Sequence, residues 1–258
     1  MLVMNELSTH DLIDAALEVF EATIELGRQL DQSDADRPTG CPGWSLQDQF
    51  AHIVGLEQVL AGAPEPDIDL PSFDHVNSDF DAFMEAPIHI RRPLPLCAVV
   101  DELAGMAPRR VAQLRALADQ GDPEIRAPFG TRRLSVALPV RVFDLWAHEQ
   151  DIRRAVGVEP RVTGLSAELS MERSLLGWRL GLDKAVKGAN GVLTIELIGS
   201  EPSTTAITLG DGGSEAALRG DLGQLTSVFC GRGEFDDSLL TGDATLIAAL
   251  RDHLSLTP

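Results

Sequence analysis

Four long stretches within the first 160 residues repeat apolar side chains every three to four positions. That spacing lays them along one face of an α-helix. The first carries Ile13, Leu17, Phe20 and Ile24, and the second Leu46, Phe50, Ile53, Leu56 and Leu60. The third carries Val99, Leu103, Met106, Val111, Leu114 and Leu117. The fourth begins at Pro139, a residue suited to the first turn of a helix, and ends near Gly157. Each stripe needs a partner to cover it, and four such helices cover one another as a bundle.

Local signals place the boundaries. Ser8 with Asp11, and Ser45 with Asp48, have the spacing of capping boxes. Residues 31–40 are polar and end in Pro-Thr-Gly, and residues 62–74 form a long connection rich in proline and acid. A short helix is expected at about 77–85, flanked by His75 and His89, which read as surface or cleft residues. Residues 127–138 read as a loop or short extended segment.

The pattern changes after Pro160. One more helix is expected at about 166–182, then strands at 192–198, 204–209 and 215–219, with a Gly-Asp-Gly-Gly turn at 210–213 between the last two. Helices at about 221–229 and 243–254 close the chain. The fold class is therefore α+β in two domains: a helical bundle over 1–160 and a small α/β domain over 161–258.

The formal net charge of −19 excludes nucleic acid and anionic membranes as natural partners, because a phosphate surface requires a basic one. No apolar run reaches the length of about 18 residues that a membrane span needs. The first six residues lack the charged and apolar regions of a secretory signal, so a cytoplasmic location is expected. Lys184 and Lys187 are the only lysines beside many arginines, a bias expected of a GC-rich, actinobacterial source. Cys41, Cys97 and Cys230 show no metal-ligand spacing, and reduced, mostly buried thiols are expected.

Within the fourth stretch, Asp144 and His148 lie four residues apart and share one helix face. On spacing alone the pair is compatible with a surface hydrogen bond, an Asp-oriented general base, or two ligands of a metal site that needs a third. His52, on the second stretch, is flanked by Asp48 and Leu56 and reads as a residue at the margin of the core. Alone it is best explained as a hydrogen-bonded core histidine.

The residues around these positions carry a resemblance. Cys41-Pro-Gly-Trp-Ser-Leu-Gln-Asp-Gln-Phe-Ala-His52 and Asp144-Leu-Trp-Ala-His148-Glu-Gln-Asp151-Ile-Arg are similar to the two signatures of the mycothiol-dependent maleylpyruvate isomerase family. The resemblance implies a DinB-like four-helix bundle with an appended small α/β domain, in which Gly231-Arg232 and Thr241-Gly-Asp243 also resemble family features. It implies a divalent metal, zinc in most members, held by His52, Asp144 and His148, with aspartate standing where the family has glutamate. It further implies mycothiol as a thiol cosubstrate and a small-molecule electrophile as substrate. The activity would be isomerisation or S-transfer, unless this member is a non-catalytic small-ligand-binding or regulatory protein. Arg232 is the candidate catalytic residue. Asp48 and Asp151 are candidates for orienting the histidines, and Arg132, Arg133 and Arg141 for meeting an anionic substrate. A monomer or homodimer is expected.

Overall fold

A computed structural model describes residues 7–128, 130–199 and 202–256. The N-terminal residues 1–6, which argued against a secretory signal, lie outside them. The protein is α+β and divides into two compact units, Glu6–Pro160 and Arg161–Pro258. No helix among the described residues is long and apolar enough to cross a membrane.

The first unit holds α1 (Thr9–Gly27), α2 (Leu46–Leu60), α3 (Asp79–His89), α4 (Leu96–Ala118) and α5 (Leu134–Ala155). Both capping boxes form: Ser8 with Asp11 opens α1, and Ser45 with Asp48 opens α2. Helix α1 packs on α4 and α5, and α2 packs on those same two helices, so the four long helices close a ring around one core. Phe20, Phe50, Leu103 and Trp146 fill it, each at most 1% exposed. Helix α3 lies outside the ring against α2.

Three features of this unit depart from the sequence reading. β1 (Glu124–Ala127) and β2 (Gly130–Arg133) pair as an antiparallel hairpin. Helix α5 then starts at Leu134, five residues before Pro139. Asp122 secures this earlier start by accepting from the Ser135 backbone N–H and hydroxyl, both at 2.8 Å. Helix α2 also has no solvent stripe: Gln47, Asp48, Gln49, His52 and Glu57 are all buried with its apolar residues. His52, only 2% exposed, is inside the bundle rather than at its margin.

The second unit opens with α6 (Leu165–Ala185). A four-stranded sheet follows, built from β3 (Gly191–Leu197), β4 (Ser203–Leu209), β5 (Ser214–Gly220) and β6 (Leu240–Gly242) in the order β4-β3-β5-β6. The turn at 210–213 does not make a hairpin. β4 pairs antiparallel with β3 and β5 pairs parallel with β3, so this turn carries the chain across the end of β3. Helices α7 (Leu222–Phe229) and α8 (Ala244–Leu250) pack against β5. Trp178 of α6 is fully buried, its indole N–H donating to the Leu254 carbonyl at 2.7 Å. None of the three cysteines forms a disulfide.

Candidate functional site

The ring of helices brings His52 on α2 against Asp144 and His148 on α5. One donor atom from each lies within 4.8 Å of the others. Asp144 Oδ2 is 3.2 Å from His52 Nε2, and Asp144 Oδ1 is 3.7 Å from His148 Nε2. The two imidazole rings are 4.4 Å apart, centroid to centroid. Both histidine side chains are buried, while that of Asp144 is 29% exposed, so the carboxylate is the part of the cluster open to solvent.

A hydrogen-bond chain fixes which nitrogen of His148 carries its proton. Thr39 Oγ1 donates to the Trp44 carbonyl at 2.8 Å and accepts from Gln49 Nε2 at 2.9 Å. Gln49 Oε1 is thereby turned to His148 Nδ1, 2.6 Å away. A carbonyl oxygen only accepts, so Nδ1 holds the hydrogen and the lone pair of Nε2 faces the Asp144 carboxylate. Two acceptors facing each other call for a cation or a proton between them. His52 poses a related problem, because its Nδ1 is buried with no hydrogen-bond partner.

These features fit a divalent metal. Tetrahedral ligands at ordinary zinc distances sit roughly 3.4 Å from one another, close to the separations found here. Two neutral imidazoles and one carboxylate suit zinc and also ferrous iron.

Electrostatics keep the carboxylate charged. Burial alone would raise the pKa of Asp144, but the Arg141 guanidinium in contact with it overcomes this and holds it well below the usual carboxylate range. Arg141 Nη1 donates to Asp144 Oδ2 at 2.9 Å. Behind it, Arg141 Nε donates to Glu57 Oε1 at 2.9 Å, and Arg110 Nε donates to Glu57 Oε2 at 2.7 Å. Arg141 therefore belongs to a buried ion chain and is not a surface arginine awaiting substrate.

His52 is driven the other way. Burial, reinforced by the neighbouring His148, lowers its pKa to about 4. The unfolded chain, with an ordinary histidine pKa of about 6.5, takes up the proton first. The metal-free protein should accordingly be most stable above about pH 6.5. It should lose on the order of 3 kcal/mol as the pH falls to about 4. Urea midpoints measured across that range test this, and the slope should flatten in His52→Gln.

The Pro-Gly-Trp turn has a physical role. The Trp44 ring stands 4.9 Å from the His52 ring and 5.6 Å from the His148 ring, forming a wall of the cluster. Its indole N–H donates to Glu85 Oε2 at 3.0 Å, and Glu85, fully buried on α3, also meets His75 and Arg92. Gly43 adopts φ +78°, and a Cβ there would fall 2.1 Å from the His75 ring, so only glycine lets the turn lie flat beneath His75.

The other residues singled out in the sequence fall elsewhere. Asp48 caps α2 and pairs with Arg92 at 3.0 Å, and makes no hydrogen bond to either histidine. Asp151 Oδ2 lies 3.7 Å from His148 Nδ1, and its Oδ1 accepts from Arg154 at 3.0 Å. Cys41 joins His148 and Asp151 in a second buried group. Arg132 and Arg133 are exposed on β2. Arg232 lies in the C-terminal unit after α7, where it donates to the Cys230 carbonyl at 2.9 Å. It borders a cavity of about 250 Å³ with Arg251, Phe235 and Leu254. Gln49 was missed in the sequence; its only signal was a polar residue one helical turn before His52, at a position facing inward.

Comparison with known proteins follows the same lines. Residues 16–153 match the model of the mycothiol maleylpyruvate isomerase N-terminal domain. A crystal structure of the mycothiol-dependent maleylpyruvate isomerase is similar over 94% of this chain and 96% of that one, with TM-score 0.66 and 18% identity. A histidine-to-alanine mutant of that isomerase is similar over the same shares, with TM-score 0.64 and 18% identity. No curated protein matches the chain. With more than half of its length covered by the family model, the chain belongs to the mycothiol maleylpyruvate isomerase N-terminal domain family.

Proposed function

We propose that this protein is a metal-dependent enzyme of the maleylpyruvate isomerase type that uses a low-molecular-weight thiol, mycothiol, as cosubstrate. In this reading His52, Asp144 and His148 hold a divalent ion, for which zinc is the first choice. The observation that carries it is the His148 Nε2 lone pair facing the Asp144 carboxylate, with the proton held on the far nitrogen by Gln49. A bound divalent ion supplies Lewis acidity that favours the thiolate form of a thiol at neutral pH.

The chain's own residues do the rest. Gln49 orients His148, Arg141 keeps Asp144 ionised, and Trp44 walls one side. The exposed edge of Asp144 is the approach for small molecules. The cosubstrate's sulfur adds to an activated double bond, the resulting single bond rotates, and elimination of the same thiol restores the double bond in the other geometry. S-transfer to a substrate with a leaving group uses the same arrangement. Arg232, in the C-terminal unit, is proposed as a contact for an anionic substrate. The protein is proposed to act in the cytoplasm.

Elemental analysis of protein purified without chelators should find about one divalent ion per chain, as one three-ligand site requires. In the metal-loaded protein, mycothiol at about 100 times its Kd should raise stability by about 2.7 kcal/mol, read as an upward shift in unfolding midpoint. Protein that carries no metal and takes none up would overturn the proposal.

A further inference from the structure

Asp144 Oδ2 has two neighbours: His52 Nε2 at 3.2 Å and Arg141 Nη1 at 2.9 Å. We propose that Arg141 is a positioning residue that competes with a bound cation for the Asp144 carboxylate and so holds the metal affinity of this site down. The inference rests on the metal reading above and goes beyond it by naming what sets the strength of binding.

The charge balance carries the argument. Arg110, Glu57, Arg141 and Asp144 form one continuous chain of ion pairs, with Arg110, Glu57 and Arg141 at most 6% exposed. Two guanidiniums and two carboxylates cancel. A divalent ion entering this cluster meets no net negative charge. Glu57 divides its two oxygens between Arg110 and Arg141, so it does not neutralise Arg141 alone. Among the described residues, the short Asp144 side chain is thus the only carboxylate touching Arg141 on the side of the histidines, and it serves both cations at once.

Arg141 also fixes the orientation of Asp144, which favours binding. Fixing one short side chain that His52 and His148 already flank is worth at most a few-fold in affinity. A full positive charge in contact with the ligand oxygen, in a buried and weakly screened setting, outweighs that. A purely structural arginine would moreover satisfy its donors, yet Arg141 Nη2 is buried with no hydrogen-bond partner.

The test is a zinc and cobalt(II) titration of metal-free protein against a competing chelator, with the unfolding midpoint of each metal-free variant measured alongside. Arg141→Gln removes the charge and keeps a donor, and should lower the Kd at least about tenfold. Arg141→Lys keeps the charge and should leave the Kd within about threefold of the parent. If Arg141→Gln does not fold, the double variant Glu57→Gln/Arg141→Gln removes the pair together and should also lower the Kd. An unchanged or higher Kd in a folded variant lacking the Arg141 charge overturns the inference while leaving the metal reading intact. A parent protein and variants that all bind neither metal overturn both.

Discussion

Replacing His148 with alanine is expected to lower metal affinity by at least about 10²-fold, or about 2.7 kcal/mol. The reason lies in both ring nitrogens. Nε2 is one of the three donors, and Nδ1 is the atom through which Gln49 holds the ring. Alanine removes the donor and leaves the buried Gln49 carbonyl facing a void. Substituting Gln49 by alanine should therefore give a smaller effect of the same sign, roughly 10-fold, because the donor survives while its tautomer and orientation are no longer fixed. Competition titration on both variants checks the ranking. Equal losses for the two would mean that Gln49 does more than orient.

The largest expected effect on stability belongs to Glu57. Its carboxylate is 3% exposed and bridges Arg110 to Arg141. Burial alone would raise its pKa, but the two guanidiniums, Arg141 first, hold it below the ordinary glutamate range. Glu57→Ala leaves two buried cations without their shared partner, a change that typically costs about 3–5 kcal/mol. For a unit of this size that corresponds to a fall in unfolding midpoint of roughly 10 °C. Thermal unfolding checks this. A loss under about 1 kcal/mol would show that water reaches the ion chain. Removing Glu57 and Arg141 together should cost less than removing Glu57 alone, since one cation no longer needs a partner.

The sequence made some of this legible and concealed the rest for identifiable reasons. Ser8 with Asp11 and Ser45 with Asp48 were readable because a capping box is local, closed within three residues. Helix α4, Leu96–Ala118, was readable from its continuous stripe, Val99 to Leu117. The start of α5 was not, because Pro139 is a strong local signal that Asp122 overrides from across the β1–β2 hairpin. The crossing of β4 and β5 around β3 was equally hidden, since a glycine-rich turn looks the same whether its strands pair with each other or with a third.

The spacing of Asp144 and His148 marked two of the three residues of the candidate site. The closeness of His52 came only from the family resemblance, because 92 residues separate it from Asp144. Arg141 read as a candidate contact for an anionic substrate, since nothing local announces Glu57, 84 positions earlier. Buried polar side chains along α2 are intelligible only once the Arg91 carbonyl is in place for Gln47, Arg92 for Asp48 and Arg110 for Glu57.

That separation along the chain also bears on the order in which the bundle assembles. The Asp144–His148 pair spans one helical turn and exists as soon as α5 does, on the sub-microsecond scale of helix formation. Its third neighbour, His52, and the Glu57–Arg141 bond both wait for α2 and α5 to meet across more than 80 intervening residues. Closing so long a loop carries an entropic penalty that the contacts repay only once made. The candidate site is therefore complete only once α2 and α5 have docked, and the burial of His52 reports that this contact has formed.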